Sequence, residues 1–197
     1  MSDISKEIDK FLKENLADTL KKVGFKRKRR SWFRKREDRI EKISVEASTW
    51  NMGSEGVFWL YFSVYIHEIA KFFKKEIEGD EPKGFESGIL KLLGQLMPEG
   101  KQDQWKVIVG ADNSLQAQEF RNAVENYGLP WFDKIMSENG LIEFLKENNH
   151  WHVLAVIHHL RGQEKEKMMA INKMIEISGR PRDETVTWAK GLGLIES

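Results

Sequence analysis

Eight cations crowd one short stretch. Lys26, Arg27, Lys28, Arg29, Arg30, Arg34, Lys35 and Arg36 fall within eleven residues, interrupted by Ser31, Trp32 and Phe33. Ammonium and guanidinium groups at this density can neutralise phosphates, and aromatic planes among them can stack bases. On a single extended strand, alternation puts Arg27, Arg29, Phe33 and Lys35 on one face. Lys26, Lys28, Arg30, Trp32, Arg34 and Arg36 share the other. The competing reading is an edge strand blunted by charge, which keeps sheets from pairing edge to edge. The chain as a whole has a net charge of only +1, without the basic excess of a dedicated nucleic-acid domain, and this favours the edge reading.

A second group is aromatic. Trp59, Tyr61 and Tyr65, with Trp32 and Trp50 near them in sequence, could form a stacking platform on a sheet. Aromatic stripes usually form cores. The later segments carry Trp131, Phe132, Phe144, Leu154, Ile171 and Trp188, which need an apolar surface, and the Trp59–Tyr65 face is the expected partner. A third group is His150, His152, His158 and His159. On a helix His152 and His159 lie two turns apart on one face, a spacing that suits zinc poorly. His67-Glu68, at the end of a strand, is placed like a catalytic pair, although such pairs are more often structural. The chain has no Gly-x-Ser-x-Gly, phosphate-loop or dinucleotide fingerprint. No catalytic residue, metal ligand or cofactor is therefore expected, and the balance is against an enzyme.

The elements that must hold these groups follow from periodicity. Ile4, Ile8, Phe11, Leu12, Leu16, Leu20 and Val23 recur at helical steps, with Ser2 or Asp3 as cap and Gly24 as stop. Three strands are expected next: Phe25–Arg36, Arg39–Trp50 and Val57 to Tyr65 or Ile66. The second alternates, with Ile43, Val45 and Ala47 opposite Lys42, Ser44 and Glu46. The third is apolar on both faces, as a central strand is. A helix over Glu68–Glu78, a break at Gly79–Pro82, an ambiguous Phe85–Met97, a loop over Pro98–Gln104 and a short strand Trp105–Val109 follow. From Ser114 onward the pattern is helical: Gln116–Tyr127, Trp131–Met136, Leu141–Glu147, Trp151–Leu160, Glu164–Ile177 and, after Pro181, Asp183–Gly191. Strands first and helices later define an α+β fold: an N-terminal helix, an antiparallel sheet of three or four strands, and C-terminal helices packed on it.

Leu20–Lys28 with Trp32-Phe33-Arg34, Leu96–Trp105 and Gly128-Leu129-Pro130-Trp131-Phe132 resemble a bacterial family of unknown function, domain-of-unknown-function family 4304. The resemblance spans about residues 5–150. It implies the fold and a bacterial cytosolic setting, and it implies no activity.

Composition bounds the rest. The 197 residues suit one domain, expected as an α+β body over 1–150 with a helical extension over 151–197. There are 0 Cys, which excludes disulfides and thiolate metal sites and fits a cytoplasmic location. The N-terminus does not read as a signal peptide, the longest apolar run is about ten residues, and no membrane partner is expected. Residues 1–50 hold 15 Lys and Arg against 9 Asp and Glu, so a basic head precedes an acidic body. The function these features favour is a non-enzymatic, accessory or immunity-type protein-interaction module with a protein partner, because 7 Trp residues supply interface anchors. Nucleic-acid binding through Lys26–Arg36 is the alternative, and an unrecognised hydrolase or metal enzyme is a third class.

Overall fold

The computed structural model describes residues 2–77, 89–98, 103–177 and 182–196. The expected Gly79–Pro82 break, the first part of Phe85–Met97, most of the Pro98–Gln104 loop and Pro181 lie outside the described residues. The chain divides into two compact units, Met1–Ala70 with Lys75–Asp133, and Lys71–Lys74 with Lys134–Ser197.

In the first unit, helix α1 (Asp3–Lys22) starts where the Ser2 hydroxyl accepts the Ser5 amide at 3.3 Å, and it buries Ile4, Ile8, Phe11, Leu12, Leu16 and Leu20. Gly24 turns the chain at φ 89, a conformation that glycine adopts without Cβ strain. The sheet comprises β1 (Lys26–Lys28), β2 (Ser31–Arg36), β3 (Arg39–Ala47), β4 (Glu55–Ile66), β5 (Ile89–Leu92) and β6 (Trp105–Ile108), all antiparallel. Their order is β1-β2-β3-β4-β5, with β6 also on β4. The sheet thus has six strands rather than three or four, for two reasons. The expected first strand is a hairpin, because Arg29 takes a left-handed φ of 55 and reverses the chain. The twelve residues of β4 are long enough for β5 and β6 to share one of its edges. The helix α2 (His67–Phe72) is shorter than expected, and α3 (Leu93–Leu96) follows β5 directly.

Residues that pair across an antiparallel sheet share a face. One face carries Trp32, Ile43, Val45, Phe58, Leu60, Phe62, Val64, Ile89, Trp105 and Val107, all buried. Helices α1 and α4 (Ser114–Ala123) cover it: Phe120 meets Phe58 at 5.8 Å and Trp105 at 4.9 Å, and Phe11 meets Phe58 at 5.9 Å between ring centroids. A π-helical turn over Val124–Gly128 leads into α5 (Leu129–Met136), whose Phe132 lies 5.4 Å from Phe62. Two close approaches need glycine. A Cβ on Gly128 would stand 2.3 Å from the Phe62 ring, and one on Gly56 would stand 2.7 Å from Ile4. These contacts correct the expected packing. Phe132 buries against the Phe58–Phe62 face and not against the Trp59–Tyr65 face.

The second unit is helical, with α6 (Glu138–Glu147), α7 (Trp151–Leu160), α8 (Glu164–Ile177) and α9 (Arg182–Gly191). Ser137 caps α6 by accepting the Gly140 amide at 3.0 Å. Helix α7 is its core, with Val153, Leu154, Ala155, Val156 and Ile157 buried.

Candidate functional site

The hairpin β1–β2 redistributes the eight cations. Arg27, Trp32, Arg34 and Arg36 now share the helix-covered face, whereas Lys26, Lys28, Phe33 and Lys35 share the other. The single-strand ladder of the sequence reading does not form. Three arginines are spent inside the fold. Arg30 donates to Asp9 at 2.6 Å and to the Ser5 carbonyl at 2.9 Å, tying the turn to α1. Arg34 donates to Glu41 and, at 2.6 Å, to the Val23 carbonyl. Arg36 reaches Asp133 at 2.6 Å and Glu41 at 3.4 Å. Arg27 lies over the Trp32 ring, 5.2 Å from its centroid, and donates to the Arg29 carbonyl at 2.9 Å. Lys26, Arg27, Lys28, Arg29 and Lys35 remain exposed.

Glu41 is the charged residue that sequence reasoning passed over. It belongs to the same alternation as Ile43, Val45 and Ala47, so a carboxylate stands in a row of core positions, and that parity was its signal. Its side chain is 0% exposed and clamped between Arg34 and Arg36. Burial pushes its carboxyl above the usual range, while the two guanidinium groups pull it back.

The aromatic candidates do not form one platform. Trp32 is buried on the helix-covered face, opposite Trp59, Tyr61 and Tyr65. Tyr65 is buried too, where its hydroxyl accepts the Ile77 amide at 3.2 Å and its ring meets His67 edge-on at 5.1 Å. Trp59 and Tyr61 are half-buried, and burial together with the hydrogen-bonded Glu46 carboxylate raises the Tyr61 phenol. Trp50 stands apart. It sits on the β3–β4 tip at 84% exposure, beside Met52 at 77%. The tip is ordered by its own hydrogen bonds. The Asn51 side chain accepts the Val57 amide at 2.8 Å and donates to the Val57 carbonyl at 2.9 Å. The Ser48 amide donates to that same carbonyl at 2.9 Å, and the Trp50 amide donates to the Ser48 hydroxyl at 3.1 Å. Asn51 is a residue type that suits turns, but no local pattern shows that it would hold out a tryptophan and a methionine.

The histidines serve packing in the second unit. His158 Nδ1 bonds Gln163 Oε1 at 2.6 Å, His150 stacks on Phe144 at 6.1 Å, and His152 and His159 face Phe73 and Phe72. No group of three His, Asp or Glu among the described residues is arranged to hold a metal ion. No helix among them is long and apolar enough to cross a membrane.

Fold and surface together define a small α+β domain: one helix and an antiparallel sheet closed on one face by later helices, with a basic hairpin and an apolar tip outside the core. The family described as domain of unknown function (DUF4304) matches residues 16–134, more than half of the chain, and the chain belongs to that family. The matched stretch ends beside Asp133, where the first compact unit ends. No curated protein and no solved structure matches the chain.

Proposed function

We propose that this chain is a non-enzymatic protein-interaction module of the bacterial cytosol that engages a partner protein through the β3–β4 tip. The observation that carries the reading is Trp50 at 84% exposure beside Met52 at 77%, on a tip tied down by Asn51. A pre-ordered tryptophan loses little entropy on docking and is a common energetic anchor. The absence of cysteine fits the reducing setting. Affinity capture from a nuclease-treated lysate tests the reading. A discrete protein is expected to bind the wild type and to be lost with Trp50→Ser, whereas an identical set captured by both would count against it.

One observation favours a second reading, binding of nucleic acid. Lys26, Arg27, Lys28, Arg29 and Lys35 are exposed on or beside the β1–β2 hairpin. Binding by these five would weaken with salt, with a log–log slope of about −0.7 per phosphate neutralised on single strands. Flat anisotropy of labelled RNA and DNA at low salt would remove it.

A further inference from the structure

We infer that the end of the sheet bearing the β1–β2 turn and the β3–β4 tip is one docking surface, and that its partner is an acidic protein with an apolar pocket. The inference rests on the protein-interaction reading above. The register brings the two features together. Strands β1 and β3 both run toward this end, because each is antiparallel to β2. The Arg30 carbonyl accepts the Val45 amide at 2.9 Å, so the turn lies beside Val45, and the tip opens at Ser48 just beyond. With a rise of about 3.3 Å per residue and about 4.8 Å between strands, Arg29 and Trp50 stand on the order of 10–20 Å apart. One interface of ordinary size spans that distance.

Four carboxylates at this end have partners. Glu55, at the foot of the tip, is taken by Lys106 at 2.9 Å, and Asp9 is taken by Arg30 at 2.6 Å. Glu46, exposed beside Val45 on the opposite face of the sheet from Arg27, hydrogen-bonds the Tyr61 phenol, and Asp112, on the loop that bonds Ser54, accepts the Ser114 amide at 2.9 Å. Arg29 is exposed and joins no ion pair among the described residues, and its neighbour Arg27 is exposed with its guanidinium over Trp32. What faces outward is therefore apolar at Trp50 and Met52 and cationic at Arg27 and Arg29. Arg29 also occupies a strained position: φ 55 suits glycine, and the chain keeps a cation there. The complement is a pocket for the tryptophan with carboxylates on its rim. An extended nucleic acid fits less well. Arg30, Arg34 and Arg36 are committed to carboxylates, and Met52 offers no plane on which a base could stack.

A phage-displayed random peptide library selected on the immobilised full chain tests this, with Trp50→Ser and Arg29→Gly as comparison baits. Glycine takes the Arg29 conformation without strain, so Arg29→Gly folds at least as well as the wild type, and thermal melts verify both variants. Selected peptides are expected to carry Asp or Glu around apolar residues. Trp50→Ser should weaken them about 30-fold or more. Arg29→Gly should weaken them about 5-fold at low salt, with the gap closing at high salt. Peptides that need Trp50 but show no acidic excess would overturn the acidic partner and leave the protein-interaction reading standing. No enrichment, enrichment indifferent to both variants, or Arg29-dependent capture of a 20-mer RNA in place of any peptide would overturn both.

Discussion

Asn51→Ala should loosen the tip without touching Trp50. The Asn51 amide makes two hydrogen bonds to Val57, at 2.8 Å to its N–H and 2.9 Å to its carbonyl. The carbonyl keeps the Ser48 amide at 2.9 Å, but the Val57 N–H has no other partner among the described residues and turns to water. Each such bond contributes about 1 kcal/mol net, so the local cost is about 1–2 kcal/mol. Because about 1.4 kcal/mol corresponds to a tenfold change in an equilibrium constant, exchange of the Val57 amide should quicken about 5- to 30-fold. Hydrogen exchange followed by NMR reads this directly, and the heteronuclear NOE of the Trp50 indole N–H should fall with it. The β4 amides at Phe62 and Val64, deep in the sheet, should keep their protection. Unchanged protection at Val57 would refute the claim that Asn51 orders the tip.

Three further predictions concern the frame. Gly128→Ala should destabilise by about 1–3 kcal/mol in urea, since its Cβ would meet the Phe62 ring at 2.3 Å, and adding Phe62→Leu should recover part of that loss; simple additivity would count against the contact. Burial raises the Glu41 carboxyl above its ordinary 4.5, so the folded state holds that proton more tightly than the unfolded chain. Glu41 then contributes stability that is full below that value and lost as pH rises through the shifted one, and the stability of the wild type relative to Glu41→Gln should decline as pH rises above the ordinary carboxylate range; a growing advantage would contradict it. Glu46→Gln should lower the Tyr61 titration seen by ultraviolet absorbance, because the Glu46 carboxylate adds to burial in raising that phenol.

What could be read in the sequence was what one pattern decides. The single apolar stripe and Ser2 cap of α1, and the alternation of β3, each allow one answer. The hairpin at Arg29 was hidden because its left-handed residue is an arginine, where turn chemistry would have used Gly or Asn. Strand β4 is apolar on both sides, so alternation could not say which face the later helices cover. Gly56 and Gly128, where helix and sheet meet too closely for a Cβ, mark the face that is covered. For the candidate site, the residue types in Lys26–Arg36 were plain. Their fate depended on carboxylates far away in sequence, Asp9 on α1 and Asp133 on α5, which no local pattern connects to them.

The central claim is that the β3–β4 tip touches a protein. A photoreactive phenylalanine analogue in place of Met52, which is 77% exposed, reports that contact in living cells, with the exposed Lys165 in α8 as control. One discrete protein adduct from position 52, absent from position 165 and suppressed by Trp50→Ser, is the predicted result. Adducts to nucleic acid alone, or the same protein ladder from both positions, would contradict it.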